Sequence, residues 1–324
     1  MSDQPLRPPL RGRVLAIVGP TCSGKTALAE ELALRLGGEV VSADSMQVYR
    51  GMDIGTAKLP LERRRVRHHC LDLVEPGTPY SVALYQRDAR AAIDGILARG
   101  LLPVVAGGSG LYVRAAIDDM RFPPGDATSP ARARYEKALR ERGGVALHEL
   151  LTTLDPDSAA LIHPGNARRV VRALEMLEED GPTYAEQHAG FGQRTSVYAA
   201  MHIGLSVDRV ALYSRIDARV DEMLAQGLLD EVRRLLGGGL REALTAPQAI
   251  GYKELVPVIE EGADLAAATD AIMRATRQYA KRQLTWFRAD PRVNWLDVTV
   301  LTPPETADAA VALIESVSDS GRWA

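Results

Sequence analysis

The chain has 324 residues, 46% of them hydrophobic and 25% charged, with a formal net charge of -3. That length suits about two domains, and the composition excludes a low-complexity or disordered chain. No stretch approaches the roughly 18 uncharged apolar residues of a spanning helix, and the start MSDQPLRPPLRGR has no apolar signal core, so a cytoplasmic protein without a membrane partner is expected.

Residues 1–12 read as a flexible N-terminus. From Arg13 the run RVLAIVGP has the length and apolarity of a strand, and GPTCSGKT and the helical pattern TALAEELALRLG follow it. EVVSAD, ending at Asp44, forms a second strand, and a helix from Val82 to Arg99 leads into a third, LLPVVAGG. Strands alternating with helices predict a parallel sheet. After Ile117 the turn-rich DDMRFPPGDATSP opens helical stretches from about Ala131 to Glu179. YAAMHIGLSVD, from Tyr198, reads as a returning strand, and amphipathic helices continue to Phe287, with Gly237–Gly239 marking a helix end. The expected fold is therefore α/β: a P-loop NTPase-like parallel sheet flanked by helices, from residues 13–117 and 198–310. A mostly helical lobe is inserted at 118–197.

Gly19, Pro20, Thr21, Cys22, Ser23, Gly24, Lys25 and Thr26 satisfy G-x-x-x-x-G-K-[ST] between a strand and a helix, the context that the motif requires. Its glycines let backbone N–H groups converge on phosphate oxygens, the helix N-terminus adds positive potential, Lys25 supplies a cation and Thr26 a hydroxyl for Mg²⁺. A diphosphate or polyphosphate ligand follows, but kinases, ATPases and other transferases share the motif. Asp44 stands at the carboxyl end of the second strand, where α/β sheets bind ligands. It can face the phosphate loop or make only local turn bonds. Cys22 and Cys70 are the only cysteines and form no CxxC pair, so neither a disulfide framework nor a zinc ribbon is supported. Arg274, Arg277, Lys281 and Arg288 recur at helical spacing, with Ile272, Met273, Tyr279 and Phe287 on the other side. Such a stripe is either a solvated surface or a track for a phosphate backbone.

The stretch SADSMQVYRGMDIGTAK, from Ser42 to Lys58, closely resembles the substrate signature of tRNA dimethylallyltransferases, also called tRNA isopentenyltransferases. The resemblance continues through HHCLDLVEP, GGSGLYVRA, IHPGNARRVVRALE, QAIGYKE and KRQLTWFR, and is to the bacterial type without a zinc finger. It implies that the phosphate loop holds dimethylallyl diphosphate with Mg²⁺, that Asp44 is the catalytic base, and that Ser109 and Arg215 reach the diphosphate. Ser109 stands where the family usually has threonine.

The implied reaction moves a dimethylallyl group onto the exocyclic amine of the adenosine 3′ of the anticodon, in tRNAs reading codons that begin with U. The implied RNA contacts are Asp44, Ser45, Met46, Gln47, Ser109, Arg132, Arg168, Arg169, Val170, Val171, Arg172, Gln248, Ala249, Ile250, Gly251, Tyr252 and Lys253. A monomer that grips a tRNA anticodon stem-loop is expected, with His68 and His69 orienting the loop beside Asp44. The rivals are an adenine-nucleotide prenyltransferase, a small-molecule P-loop kinase and a P-loop switch. An arginine-rich insertion suits a stem-loop better than a free nucleotide.

Overall fold

The computed structural model describes residues 12–122, 129–179, 182–192, 194–242 and 245–319. The expected flexible N-terminus lies outside them except for Gly12. Among these residues β1 (Arg13–Val18), β2 (Gly38–Ser42), β3 (His68–His69), β4 (Leu102–Gly107), β5 (Ala199–Ser206) and β6 (Val293–Asp297) form one sheet in the order β3-β2-β4-β1-β5-β6. Every neighbouring pair is parallel. Helices cover both faces, so the central strands are apolar without alternation: Val14 to Val18 are all fully buried.

The helices in chain order are α1 (Lys25–Leu36), α2 (Val82–Ala98), α3 (Gly110–Ile117), α4 (Pro130–Leu154), α5 (Pro156–Ala160) and α6 (Ala167–Glu178). They continue as α7 (Tyr184–Gly192), α8 (Arg209–Ala225), α9 (Leu228–Gly237), α10 (Val256–Glu261), α11 (Leu265–Arg288) and α12 (Pro303–Asp319). Two compact units result, one of residues up to Asp118 together with those from Ser196 onward, the other of Asp119–Thr195.

In the sheet unit, Leu15, Ile17, Leu32, Val104, Ile203, Leu205 and Ile216 share a core with Ala310 and Ile314 of α12. The sheet unit therefore runs past the expected boundary at 310, because α12 buries its apolar side in that core. The second unit has its own core of Leu147, Leu151, Ile162, Val170, Val171 and Leu174, and α4 breaks at Gly143, where φ is 79°.

Just after α3, Asp118 is 1% exposed and is held bidentately by Arg292, at 2.7 and 3.0 Å, and by Arg114 Nε at 2.8 Å. Arg292 also donates to Asp290 at 2.7 Å. On the neighbouring strand β5, burial and the Arg292 charge push the His202 imidazole down to about 4, so it is neutral in the fold.

Candidate active site

The loops at the carboxyl ends of β1, β2 and β4 converge, as an open parallel sheet dictates. Gly19 opens the phosphate loop with φ 145°, and a Cβ there would lie 2.7 Å from the Leu205 carbonyl oxygen, so only glycine fits. Ser23 Oγ donates to the Pro20 carbonyl at 2.8 Å, and Lys25 Nζ to the same oxygen at 2.5 Å. The Thr21 amide donates to Gln283 Oε1 of α11 at 2.8 Å. Thr21, Cys22, Gly24, Lys25 and Thr26 line a cavity of about 980 Å³, while Gly19, Pro20 and Ser23 are buried supports.

Asp44, Ser45, Met46 and Gln47 line the same cavity. Asp44 follows β2 directly, and its Oδ1 accepts the Met46 amide at 2.9 Å, a local turn bond that aims the carboxylate. Burial raises the Asp44 carboxyl above its usual value, and the Met46 and Gln47 amides and the Lys25 and Lys58 charges offset this only in part. Burial likewise lowers Lys25 to about 8, against the opposing pull of Asp44 and Cys22. Ser109, the N-cap of α3, lies close by: its Oγ accepts the Ser45 amide at 3.3 Å and is 3.5 Å from the Tyr279 hydroxyl.

Arg215 and Arg219 line the cavity from successive turns of α8. The Arg215 guanidinium is aimed by the Val298 and Thr299 carbonyls, at 3.3 and 2.9 Å. Gln248, Ala249, Ile250, Gly251, Tyr252 and Lys253 form a further stretch of the wall, and Thr276, Tyr279 and Arg282 of α11 another. Sequence reasoning passed over Arg219, Tyr279 and Arg282. The signal for Arg219 was its place one turn beyond Arg215. Helical spacing puts Tyr279 on the apolar side of α11, yet it lines the cavity, and Arg282 lies over its ring at 5.7 Å. Within the basic stripe, Arg277 is occupied by Asp217, at 2.5 and 3.1 Å, and lies over the Tyr213 ring.

Two placements differ from expectation. His68 and His69 are strand residues paired with Val40 and Val41, and their imidazoles contact Glu30 at 3.1 Å and Glu39 at 2.6 Å rather than the Asp44 loop. The sheet edge claims them because α1 and β2 bring those carboxylates alongside. In the second unit, Val170 and Val171 are 0% and 2% exposed, so their side chains serve the core and offer RNA nothing to touch. Arg168 and Arg169, by contrast, are exposed on the same helix. Arg132 and Arg172 gather on the buried Glu175, at 3.7 and 2.9 Å.

A glycine-rich loop with a lysine facing a half-buried carboxylate, with a second wall of mixed polar groups, is an arrangement that can hold a diphosphate while a proton is removed from a neighbouring substrate. Residues 47–290 match the family model described as IPP transferase, and residues 12–64 that described as isopentenyl transferase. The tRNA dimethylallyltransferase of Geobacillus thermodenitrificans is 50% identical over 292 residues, covering 89% of this chain and 91% of that protein. That of Streptomyces coelicolor is 49% identical over 317 residues, covering 97% and 98%. Among solved structures, a eukaryotic dimethylallyltransferase acting on tRNA superposes with TM-score 0.80 at 28% identity, covering 96% of this chain and 80% of that one.

Proposed function

The chain belongs to the tRNA dimethylallyltransferase family, and from that premise we propose how its residues divide the reaction between donor and acceptor. It is a prenyltransferase that modifies tRNA. The donor is dimethylallyl diphosphate, held by the Gly19–Thr26 loop. The acceptor is the exocyclic amine of the adenosine 3′ of the anticodon, in tRNAs reading codons that begin with U. The observation that carries this reading is that Asp44 and Lys25 line one cavity and feel each other's charge.

The amine lone pair attacks the allylic carbon, the carbon–oxygen bond to the diphosphate breaks with its electrons, and Asp44 takes the amine proton. An adenine amine is a poor nucleophile that becomes acidic only as the new bond forms, so a positioned base acts in the transition state. The raised affinity of Asp44 for a proton suits it to that role. Charge accumulates on the departing diphosphate, and the loop amides, Lys25 and Arg215 act most strongly there. Ser109 holds the donor or the Asp44 loop through its hydroxyl.

The Thr26 hydroxyl is exposed on the cavity in the first turn of α1, and a hard oxygen of this kind, with phosphate oxygens, suits Mg²⁺. Bound there, Mg²⁺ would neutralise diphosphate charge. A target base has to leave its stack to reach such a cavity. Ser45–Gln47 and Gln248–Lys253 receive the base, and Arg132, Arg168, Arg169 and Arg172 of the inserted unit Asp119–Thr195 bind the stem-loop phosphates. The enzyme works as a cytoplasmic monomer.

The test is incubation with Mg²⁺, labelled dimethylallyl diphosphate and an anticodon stem-loop RNA bearing consecutive adenosines, beside AMP and ATP. Label in the RNA alone is expected. Label in AMP or ATP would move the chain to free nucleotides. Asp44→Ala is expected to lower kcat by roughly 10²–10⁴-fold, and an unchanged turnover number would remove Asp44 as the base.

A further inference from the structure

Glu231 on α9 belongs to none of the groups discussed so far, yet it is 2% exposed. Its carboxylate accepts four hydrogen bonds. Oε2 takes the amides of Asp53 and Ile54, at 3.1 and 2.8 Å, and Oε1 takes the amide of Gly55 at 3.2 Å and the Tyr252 hydroxyl at 2.6 Å. Successive backbone amides converge on one anion only where the chain curls into a nest around it. Without these donors a buried carboxylate would be costly, and without the carboxylate three partly buried amides would lose their partner.

The two segments that Glu231 joins are both cavity walls. The loop runs on from Gly55 into Thr56, whose carbonyl accepts Gln47 Nε2 at 3.1 Å, while Gln47 Oε1 accepts Ser42 Oγ at 2.9 Å. The amide of Gln47 is thereby oriented at both ends, beside Asp44. On the other side, the Tyr252 ring lies so close to Gly55 that a Cβ there would be 2.4 Å from it. Gln47, Gly55, Thr56 and Tyr252 all line the cavity. Two of the four donors to Glu231, the Gly55 amide and the Tyr252 hydroxyl, belong to residues that line the cavity, and the other two immediately precede Gly55, whereas the phosphate loop is braced separately, through Gln283.

We propose that Glu231 is a positioning residue for the acceptor: it holds the Gln47 side chain and the Gln248–Lys253 segment at the spacing that receives a nucleobase, and it has no part in holding the donor. This rests on the reading that the second substrate is an adenine in RNA.

The variants are Glu231→Gln, which keeps the shape and loses the charge, and Tyr252→Phe, which keeps the ring against Gly55 and loses one bond. Steady-state kinetics with dimethylallyl diphosphate and the stem-loop RNA should show KM for RNA raised about tenfold in Glu231→Gln and about threefold in Tyr252→Phe. KM for the donor should stay within about twofold of wild type. The double variant should be less than additive, because both changes act on the one contact between Glu231 and Tyr252.

Equal rises in both KM values, or a fall confined to kcat that follows the folded fraction, would show a merely structural role and overturn the proposal. So would two variants that behave as wild type. If Glu231→Gln does not fold, Tyr252→Phe decides by the same ratio. Wild-type protein that labels AMP and not RNA would refute the acceptor reading alone, and Glu231 would then be judged by KM for AMP.

Discussion

Gln283 of α11 accepts a hydrogen bond from the amide of Thr21 at 2.8 Å, across 262 positions of the chain. The phosphate loop is thus braced by a helix that the sequence places near the far end. Gln283 is 5% exposed, and Gly108 makes room for it: a Cβ at that glycine would fall 2.1 Å from Gln283 Nε2.

Replacing Gln283 by Leu should therefore strip the Thr21 amide of its partner at a cost of about 1–3 kcal/mol. The expected result is a KM for dimethylallyl diphosphate raised roughly tenfold, with the KM for RNA nearly unchanged. Gly108→Ala should act in the same direction by displacing the side chain. A donor titration of both variants checks this, and an unaltered donor KM would show that the loop holds its shape unaided.

The pH dependence of kcat/KM for the donor should be bell-shaped. Lys25, lowered to about 8, carries its charge below that pH and loses it above, so diphosphate capture should decline on the alkaline side from about pH 8. Asp44 must be ionised to take a proton, and because burial raises its carboxyl the acid limb should begin above the usual aspartate range. Lys25→Arg, which stays charged, should abolish the alkaline limb whatever its effect on the maximum.

His202 should make the fold acid-sensitive in a defined window. Its pKa is depressed to about 4 from an ordinary 6.5, so between those values the unfolded chain binds a proton that the fold excludes. Stability is then fully present above about 6.5 and is lost as pH falls toward 4, by at most about 3 kcal/mol. Urea unfolding of wild type and His202→Leu from pH 7 to 4 tests this: the variant should show the shallower decline, and parallel curves would assign the acid response to other groups.

Arg292→Met should be among the more damaging single changes. It leaves Asp118, 1% exposed, with only part of its ion pairing, and breaking a buried pair costs about 3–5 kcal/mol. Arg233 and Asp230 also pair, but their side chains are 57% and 78% exposed, and Arg233→Ala should cost less than about 1 kcal/mol. Denaturant midpoints of the two variants compare them directly.

The readings that needed only neighbours along the chain were open to sequence reasoning. A glycine-rich loop followed by Lys-Thr carries its own geometry, since its function lies in backbone amides that consecutive residues supply. Asp44 at a strand end and the continuous apolar runs of β1, β4 and β5 are legible for the same reason. β6, VNWLD, passed unseen because it is short and its pattern matches a strand only once β5 offers an edge to pair with. Glu231, in LLDEVRRLL, and Gln283, in KRQLTWF, look like solvated helix residues in one dimension.

By itself the sequence determined the G-x-x-x-x-G-K-[ST] loop, a carboxylate at a strand end, the parallel α/β class and a family resemblance spread over most of the chain, because each is written in spacing between near neighbours. Only the tertiary structure decided which polar groups are buried and whom they serve. It assigned His68 and His69 to Glu30 and Glu39, Gln283 to Thr21, and Glu231 to the loop at Gly55. A buried polar atom must find a partner wherever the fold brings one within about 3 Å, and the distance that matters is through space, which no local pattern encodes.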